Sequence, residues 1–267
     1  MLPDWSEALY DRNAGTIALS LLAVMLLAAE VGFRVGRHDR TRGAIASHSQ
    51  VAAIQAAVLG LLGLLLAFSF SFAEARFDAR KQVLVEEANA IGTAYLRASL
   101  LEDPDRAVVE STLRSYLDAR LAFYRTSYDD AVGLASARER ARALELAAWA
   151  RVAALGRAQP RATTVALLLH ALNAVIDLHA KQDMAFAYRV PGSIIFLLFA
   201  LSILSMGVVG YGNGATQRRQ RRLTLALILV SALVLYVIMD LDRPRRGFIR
   251  VGGTSLAGLG DAIPREP

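Results

Sequence analysis

VAAIQAAVLGLLGLLLAFSFSFA (residues 51–73) runs without a break into EARFDARKQVLVEEANAIGTAYLRASLL (residues 74–101). The first part carries no charge over its 23 residues, and a helix rising 1.5 Å per residue needs about 20 to cross a hydrocarbon core of ~30 Å. The second part is charged and rich in good helix formers, and no proline occurs between Pro3 and Pro104. Together they predict one long helix that leaves the bilayer and continues into water. Such a helix can couple an extramembrane domain to whatever lies in the membrane.

Working outward, three more runs have the length and apolarity of membrane helices: Thr16–Phe33, Ile194–Tyr211 and Leu223–Met239. A mean hydropathy of +0.37 and 55% apolar residues over 267 positions agree with this, being too hydrophobic for an ordinary soluble domain. The N-terminal MLPDWSEALYDRNAG has Asp4, Glu7 and Asp11 against Arg12. It lacks the basic start of a secretory signal, so the first run reads as a retained span. The expected organisation is a first transmembrane hairpin (1–73), a helical extramembrane domain continuous with the second span (74–189), a second hairpin (190–241) and a polar C-terminal tail (242–267). Within the insert, apolar residues recur at helical spacing, and strand-like alternation is missing. Its helices are expected at Glu74–Leu101, Ala107–Tyr128, Ala135–Leu155 and from Thr163 or Thr164, as N-cap, to about Tyr188. The fold class is therefore an all-α integral membrane protein: four transmembrane helices in two hairpins with a helical domain inserted between them.

Both hairpin connections are basic. RVGRHDRTRG supplies Arg34, Arg37, Arg40 and Arg42 against Asp39, and QRRQRR supplies Arg218, Arg219, Arg221 and Arg222. Short arginine-rich loops stay cytoplasmic, which predicts that both termini and the insert are non-cytoplasmic. The insert is no guide, with sixteen basic and fifteen acidic residues between Glu74 and Arg189. The net charge of +6 sits beside the spans and not on one soluble face, which argues against nucleic acid as a partner. Cysteine is absent, which excludes disulfides and thiolate chemistry. The histidines are scattered, and neither HExxH, a GxxxxGK phosphate loop nor a nucleophile–base pattern occurs. Neither a metal, a cofactor nor an enzymatic activity is expected.

On the second span Leu64, Phe68 and Phe72 follow at i, i+4 and i+8 and so share one helix face. Around an axis of several subunits these side chains would form a hydrophobic constriction able to gate by dewetting. The same stripe also suits lipid contact or packing against the other spans, the commoner use of an apolar face. Gly60 and Gly63 permit close helix approach. Gln55, Ser69 and Ser71, the polar side chains of this span, can bond across helices or to their own backbone. Glu30, an acid inside a span, precedes Arg34 by four residues and is expected to pair with it. GYGNG (210–214) reads as a turn between spans. In the last insert helix His170, Asn173, Asp177 and Lys181 share a polar face, with Asp177 ordered to pair with Lys181. Two charged clusters complete the candidates: Glu86, Glu87 and Asn89 on the helix leaving span two, and DLDRPRRG (240–247), with Asp240, Asp242 and Arg243, leaving span four. They would hold an ion-pair network or ring a pore mouth with charge.

GLLGLLLAFSFS (60–71), RFDARKQVLVEEANAIGTAYLR (76–97), LNAVIDLH (172–179) and DLDRPRRGFIRV (240–251) together resemble the bacterial bestrophin-like domain family. EEANAIGTAYLR is the specific part; LNAVIDLH is looser, with Ala174 where the family pattern carries a charged or bulky residue. The resemblance covers most of the chain from Gly36 onward. It implies the four-span architecture in a bacterial inner membrane and marks Glu86, Glu87, Asn89, Asn173, Asp177, Asp240, Pro244 and Gly247 as motif positions. True bestrophins are pentameric anion channels with an aromatic neck on the second membrane helix, so the resemblance implies anion selectivity and a neck at Phe68 and Phe72. It also implies a cytosolic helical domain and cytosolic termini, against the arginine count, which sets the expectation here. The functional expectation is a homo-oligomeric ion channel, a ring of roughly four or five copies lined by span two, with lipid, itself and permeant ions as partners. The competing reading is a non-conducting membrane sensor or scaffold whose insert binds a partner. Subunit number separates them, since a scaffold has no need of a ring.

Overall fold

The computed structural model describes residues 13–42, 48–217, 219–243 and 245–264. Among them every regular element is an α-helix: α1 (Ala14–Thr41), α2 (His48–Ala98), α3 (Asp105–Arg125), α4 (Ala131–Ala158), α5 (Thr163–Ala187), α6 (Gly192–Ala215), α7 (Arg221–Leu241) and α8 (Thr254–Ala262). The 51 residues of α2 form one unbroken helix, about 76 Å long at 1.5 Å per residue. The membrane-crossing run and the charged run are thus one element. Among the described residues four helical stretches are long and apolar enough to span a bilayer: Ala14–Thr41, Ser49–Ala98, the α5–α6 stretch Thr163–Ala215, and Arg221–Leu241. The chain divides into two compact units. One comprises Met1–Phe77 and Arg189–Arg250, the other Asp78–Tyr188 and Val251–Pro267.

In the first unit α1 begins where the Asn13 side chain accepts a hydrogen bond from the Gly15 N–H at 2.9 Å. It runs past the expected end at Phe33, through the arginines, to Thr41. Its main partner is α6, and the two meet backbone to backbone. A Cβ placed on Gly32 would lie 2.0 Å from the Gly207 carbonyl oxygen, and one on Gly36 would lie 2.1 Å from that of Tyr211. From the other side, a Cβ on Gly210 would lie 2.0 Å from the Ala29 carbonyl oxygen and one on Gly214 would lie 2.1 Å from that of Phe33. Small residues three to four apart let membrane helices approach this closely, where dispersion and not the hydrophobic effect drives association. GYGNG is therefore no turn: it lies inside α6, and its glycines are the contact surface for α1 and α2. The Gln55 amide of α2 donates to the carbonyls of Val208 (3.1 Å) and Val209 (3.3 Å) in the gap left by Gly212. Of the three polar side chains in the span, this one bonds across helices; Ser69 is buried and Ser71 exposed. Met25, Leu62, Leu66, Leu198, Met206, Ile228, Leu235 and Ile238 fill the core of the unit.

The arginine-rich connections are knitted together at one end of this unit. Glu30 pairs with Arg34 at 3.0 Å, as its spacing predicts, and also with Arg219 at 2.6 Å. Arg40 donates to the carbonyl of Ala215, the last residue of α6, at 2.7 Å. The Tyr211 hydroxyl reaches Asp39 at 3.2 Å. Arg218, counted above among the loop charges, lies outside the described residues.

The second unit is a helical bundle of α3, α4, α5, α8 and the far half of α2. Buried residues on α2 fall at Arg80, Val83, Leu84, Glu87, Ala88, Ile91, Ala94, Tyr95 and Ala98, the three-to-four spacing of a core-facing helix stripe. Its apolar members join Leu113, Leu117 and Phe123 of α3 and Leu168, Leu172 and Val175 of α5 as buried apolar residues of the unit, with Arg80 and Glu87 buried among the polar ones. Asp130 caps α4 through the Gly133 N–H at 2.8 Å. No threonine caps α5: Ala162 occupies the N-cap and supplies no side-chain bond. Arg97 of α2 donates to the Leu167 carbonyl at 2.6 Å. The stretch read as a polar tail carries α8, whose Leu256 is fully buried.

Candidate functional site

The second span has two faces in the membrane unit. Leu62, Leu66, Ser69 and Ala73, spaced four, three and four, are buried and hold α2 on the core. Leu64, Phe68 and Phe72 point away from it and are 53%, 54% and 62% exposed. An added Cβ at Gly60 or Gly63 would meet nothing within 4 Å. Neither glycine therefore serves close helix packing inside the subunit, contrary to the expectation. The stripe is continuous for about 12 Å along the helix axis. Two of its three side chains are aromatic, bringing a large apolar surface to the face.

The segment leaving α7 folds back on its own acids. The Asp240 carboxylate, 1% exposed, accepts the backbone N–H of Phe248 at 3.0 Å and of Ile249 at 2.8 Å. The return needs Gly247, with φ of +105°, a conformation that L side chains avoid. A Cβ there would also sit 1.9 Å from the Asp240 Oδ1. Asp242, fully buried, accepts the Val190 N–H at 2.9 Å and lies 3.7 Å from Arg76. Arg243 is 5% exposed. Pro244 lies outside the described residues. Asp240, Asp242 and Gly247 are brought together as the knot that fixes this turn.

The insert holds a buried ion pair. Glu87 accepts from Arg120 Nε at 2.6 Å and Nη2 at 3.0 Å, a bidentate geometry, with side-chain exposures of 0% and 1%. The Tyr116 hydroxyl donates to the same carboxylate at 3.2 Å, and Arg120 also bonds Gln182, which bonds Tyr124. Burial disfavours the Arg120 cation, but the Glu87 charge, the hydrogen bonds to Glu87 and the nearby Tyr116 and Tyr124 together outweigh that and push the guanidinium up. Burial first, and then the Glu87 charge, pushes the Tyr116 phenol well above its ordinary value. Beside this network His179 Nδ1 is 2.6 Å from Glu145. Sequence reasoning missed Arg120, Gln182, Tyr124, His179 and Glu145. The signal available was an arginine inside the apolar stripe Leu113–Leu117–Phe123, three residues from both Leu117 and Phe123.

Glu86 and Asn89, one turn apart from Glu87 or less, stay accessible. Glu86 pairs with Lys181 at 3.2 Å, and hydrogen bonds from Gln82 and then Lys181 hold its carboxyl below the ordinary range. That pair is complete at neutral pH and is lost as the pH falls through the lowered value. Lys181 thus turns to α2 and not to Asp177 as its spacing predicts. His170, Asn173 and Asp177 lie exposed on α5. Among the described residues no three His, Asp or Glu side chains converge to hold a metal ion.

A bestrophin-like domain model matches residues 19–256. Solved structures are similar over nearly the whole chain. A variant of a bacterial bestrophin homolog from Klebsiella pneumoniae aligns with a TM-score of 0.72 at 12% identity, covering 94% of this chain and 96% of that one. A second variant of that homolog gives 0.68 at 13% identity, with 92% and 95% covered. A structure described only as a membrane protein gives 0.67 at 13%, with 93% and 94% covered. No curated protein is similar enough in sequence to match. At such identity the structures speak to fold alone, and they share this one; with the family model spanning all but the two ends, the chain belongs to the bestrophin-like domain family.

Proposed function

We propose that this chain is one subunit of a homo-oligomeric ion channel, a ring of roughly four or five copies in the bacterial inner membrane, with α2 lining the pore. The observation that carries this reading is the stripe Leu64, Phe68 and Phe72, more than half exposed among the described residues on a helix whose other side buries Leu62, Leu66 and Ala73 in the core. In a ring these side chains form the constriction. The unbroken α2 carries movement of the insert to it. Family membership supports anions as the permeant species. Of the polar candidates, Glu86, paired with Lys181 but accessible, and exposed Asn89 can face ions at a mouth, whereas Glu87, Asp240 and Asp242 are buried in the framework. Phe72→Ala is expected to raise basal conductance by widening the constriction; unchanged current from a conducting, folded variant removes Phe72 from the gate.

The four spans form two hairpins with the arginine-rich connections in the cytoplasm and with the termini and insert outside. The knitting of Arg40 to Ala215 and Arg219 to Glu30 supports this, since both connections share one end of the unit. The chain has no native cysteine, so single reporters are clean. In intact cells an impermeant thiol reagent is expected to label Ser127→Cys and spare Ser49→Cys. The reverse pattern puts the insert in the cytosol.

A further inference from the structure

At the arginine-rich end of the membrane unit, α1, α6 and α7 enclose a cleft of about 300 Å³. Leu26, Ala29, Phe33, Leu225 and Ile228 form its apolar wall, while Asn213, Arg219, Gln220, Arg221 and Thr224 line it with polar groups, and Glu30 lies among them. The polarity is graded along the helices. On α7 the lining residues run Arg221, Thr224, Leu225, Ile228, one face passing from cation to hydroxyl to hydrocarbon over about 10 Å. On α1 the lining is Phe33, Glu30, Ala29 and Leu26, with Glu30 the one polar side chain, set on the arginine side of Ala29 and Leu26. Arg219 is held in place, giving one N–H to Glu30 at 2.6 Å and lying 4.7 Å over the Phe33 ring. A guanidinium has five donors, so others remain for an acceptor. Arg221 makes no ion pair among the described residues. Two arginines against one glutamate leave the lining one positive charge in excess.

We propose that this cleft binds one anionic phospholipid, its phosphodiester at Arg219 and Arg221 and an acyl chain along the wall from Leu225 to Leu26. A phosphodiester balances the excess charge, and Arg219 and Arg221 offer the charge-assisted donors such an oxygen takes. The apolar wall has no use for a free phosphate, and the quaternary ammonium of a zwitterionic lipid would restore the positive excess that the phosphodiester balances. The site is independent of conduction.

The test is native mass spectrometry of the purified protein with equimolar phosphatidylglycerol and phosphatidylcholine. Preferential retention of phosphatidylglycerol is expected. Arg221→Gln, or Leu225→Trp filling the groove, lowers it about fivefold. Arg222→Gln, one position along and outside the lining, leaves it unchanged, and excess inorganic phosphate does not displace the lipid. The proposal is overturned by equal retention of the two lipids or by none. It is equally overturned if Arg222→Gln loses as much as Arg221→Gln, which marks a diffuse basic surface, or if phosphate displaces the lipid, which marks a plain anion site. Leu225→Trp removes no charge, so it tests the groove even where Arg221→Gln disturbs folding.

Discussion

Glu87→Ala is expected to lower the stability of the insert by about 3–5 kcal/mol, because it leaves the Arg120 guanidinium charged and buried without its counter-ion. The pair is not expected to be strongly stabilising in itself, since desolvating two charges offsets most of their attraction. The loss comes from breaking it. Arg120 also holds Gln182 of α5, which holds Tyr124, so the vacancy opens in the middle of α2, α3 and α5. For a unit of this size the drop corresponds to roughly 10–20 °C in Tm, read by circular dichroism of the purified protein. Glu86→Ala, next along the chain but exposed, is expected to melt like the wild type. The double substitution Glu87→Leu with Arg120→Met is expected to recover much of the loss, because no charge is then left buried. Equal melting of Glu87→Ala and Glu86→Ala would show that the buried pair contributes nothing to the fold.

Gly210→Leu is expected to disrupt the membrane unit. Its first added carbon would stand 2.0 Å from the Ala29 carbonyl oxygen, so α1 and α6 must move apart along their shared glycine stripe. Overpacking a core that side chains can relax costs about 1–3 kcal/mol. Here the obstacle is backbone, which cannot rotate away, and the cost is expected to exceed that range. Fluorescence-detected size-exclusion after heating in detergent reads the effect directly. Gly60→Leu is the matched control: the same residue change in a span, into open space. It is expected to leave the subunit fold intact. If both variants survive heating alike, the backbone contact between α1 and α6 is not what holds the unit.

These two sites also show what the sequence makes legible. Length, apolarity and the absence of proline were enough to place α2 as one helix, because those properties are local. The insert helices follow for the same reason: the apolar residues at helical spacing and the Pro104 and Pro160 boundaries act within a turn or two. What a residue touches is not local. Glu87 and Glu86 are adjacent acids on one helix, and only the packing of α3 decides that one is sealed with Arg120 while the other faces water. Gly210 to Gly214 looks like a turn because glycine permits one; that it lies in α6 depends on Gly32 and Gly36 of a helix far away in sequence. In sequence Asp240 suits either an ion-pair network or a charged mouth; in the fold it accepts the N–H groups of Phe248 and Ile249, which requires the chain to reverse at Gly247. The stripe Leu64, Phe68 and Phe72 is legible as a face, and the structure adds that it stays more than half exposed among the described residues.

Planar-bilayer recording of the purified protein in asymmetric KCl tests the channel reading most directly. Discrete conductance steps are predicted, with a reversal potential toward that of chloride if the family resemblance extends to selectivity. A reversal toward potassium keeps the channel and moves selectivity to the accessible Glu86. Persistent silence from folded, oligomeric protein, unrelieved by Phe72→Ala, would contradict the pore and leave the insert as a sensor or scaffold held in the membrane by its spans.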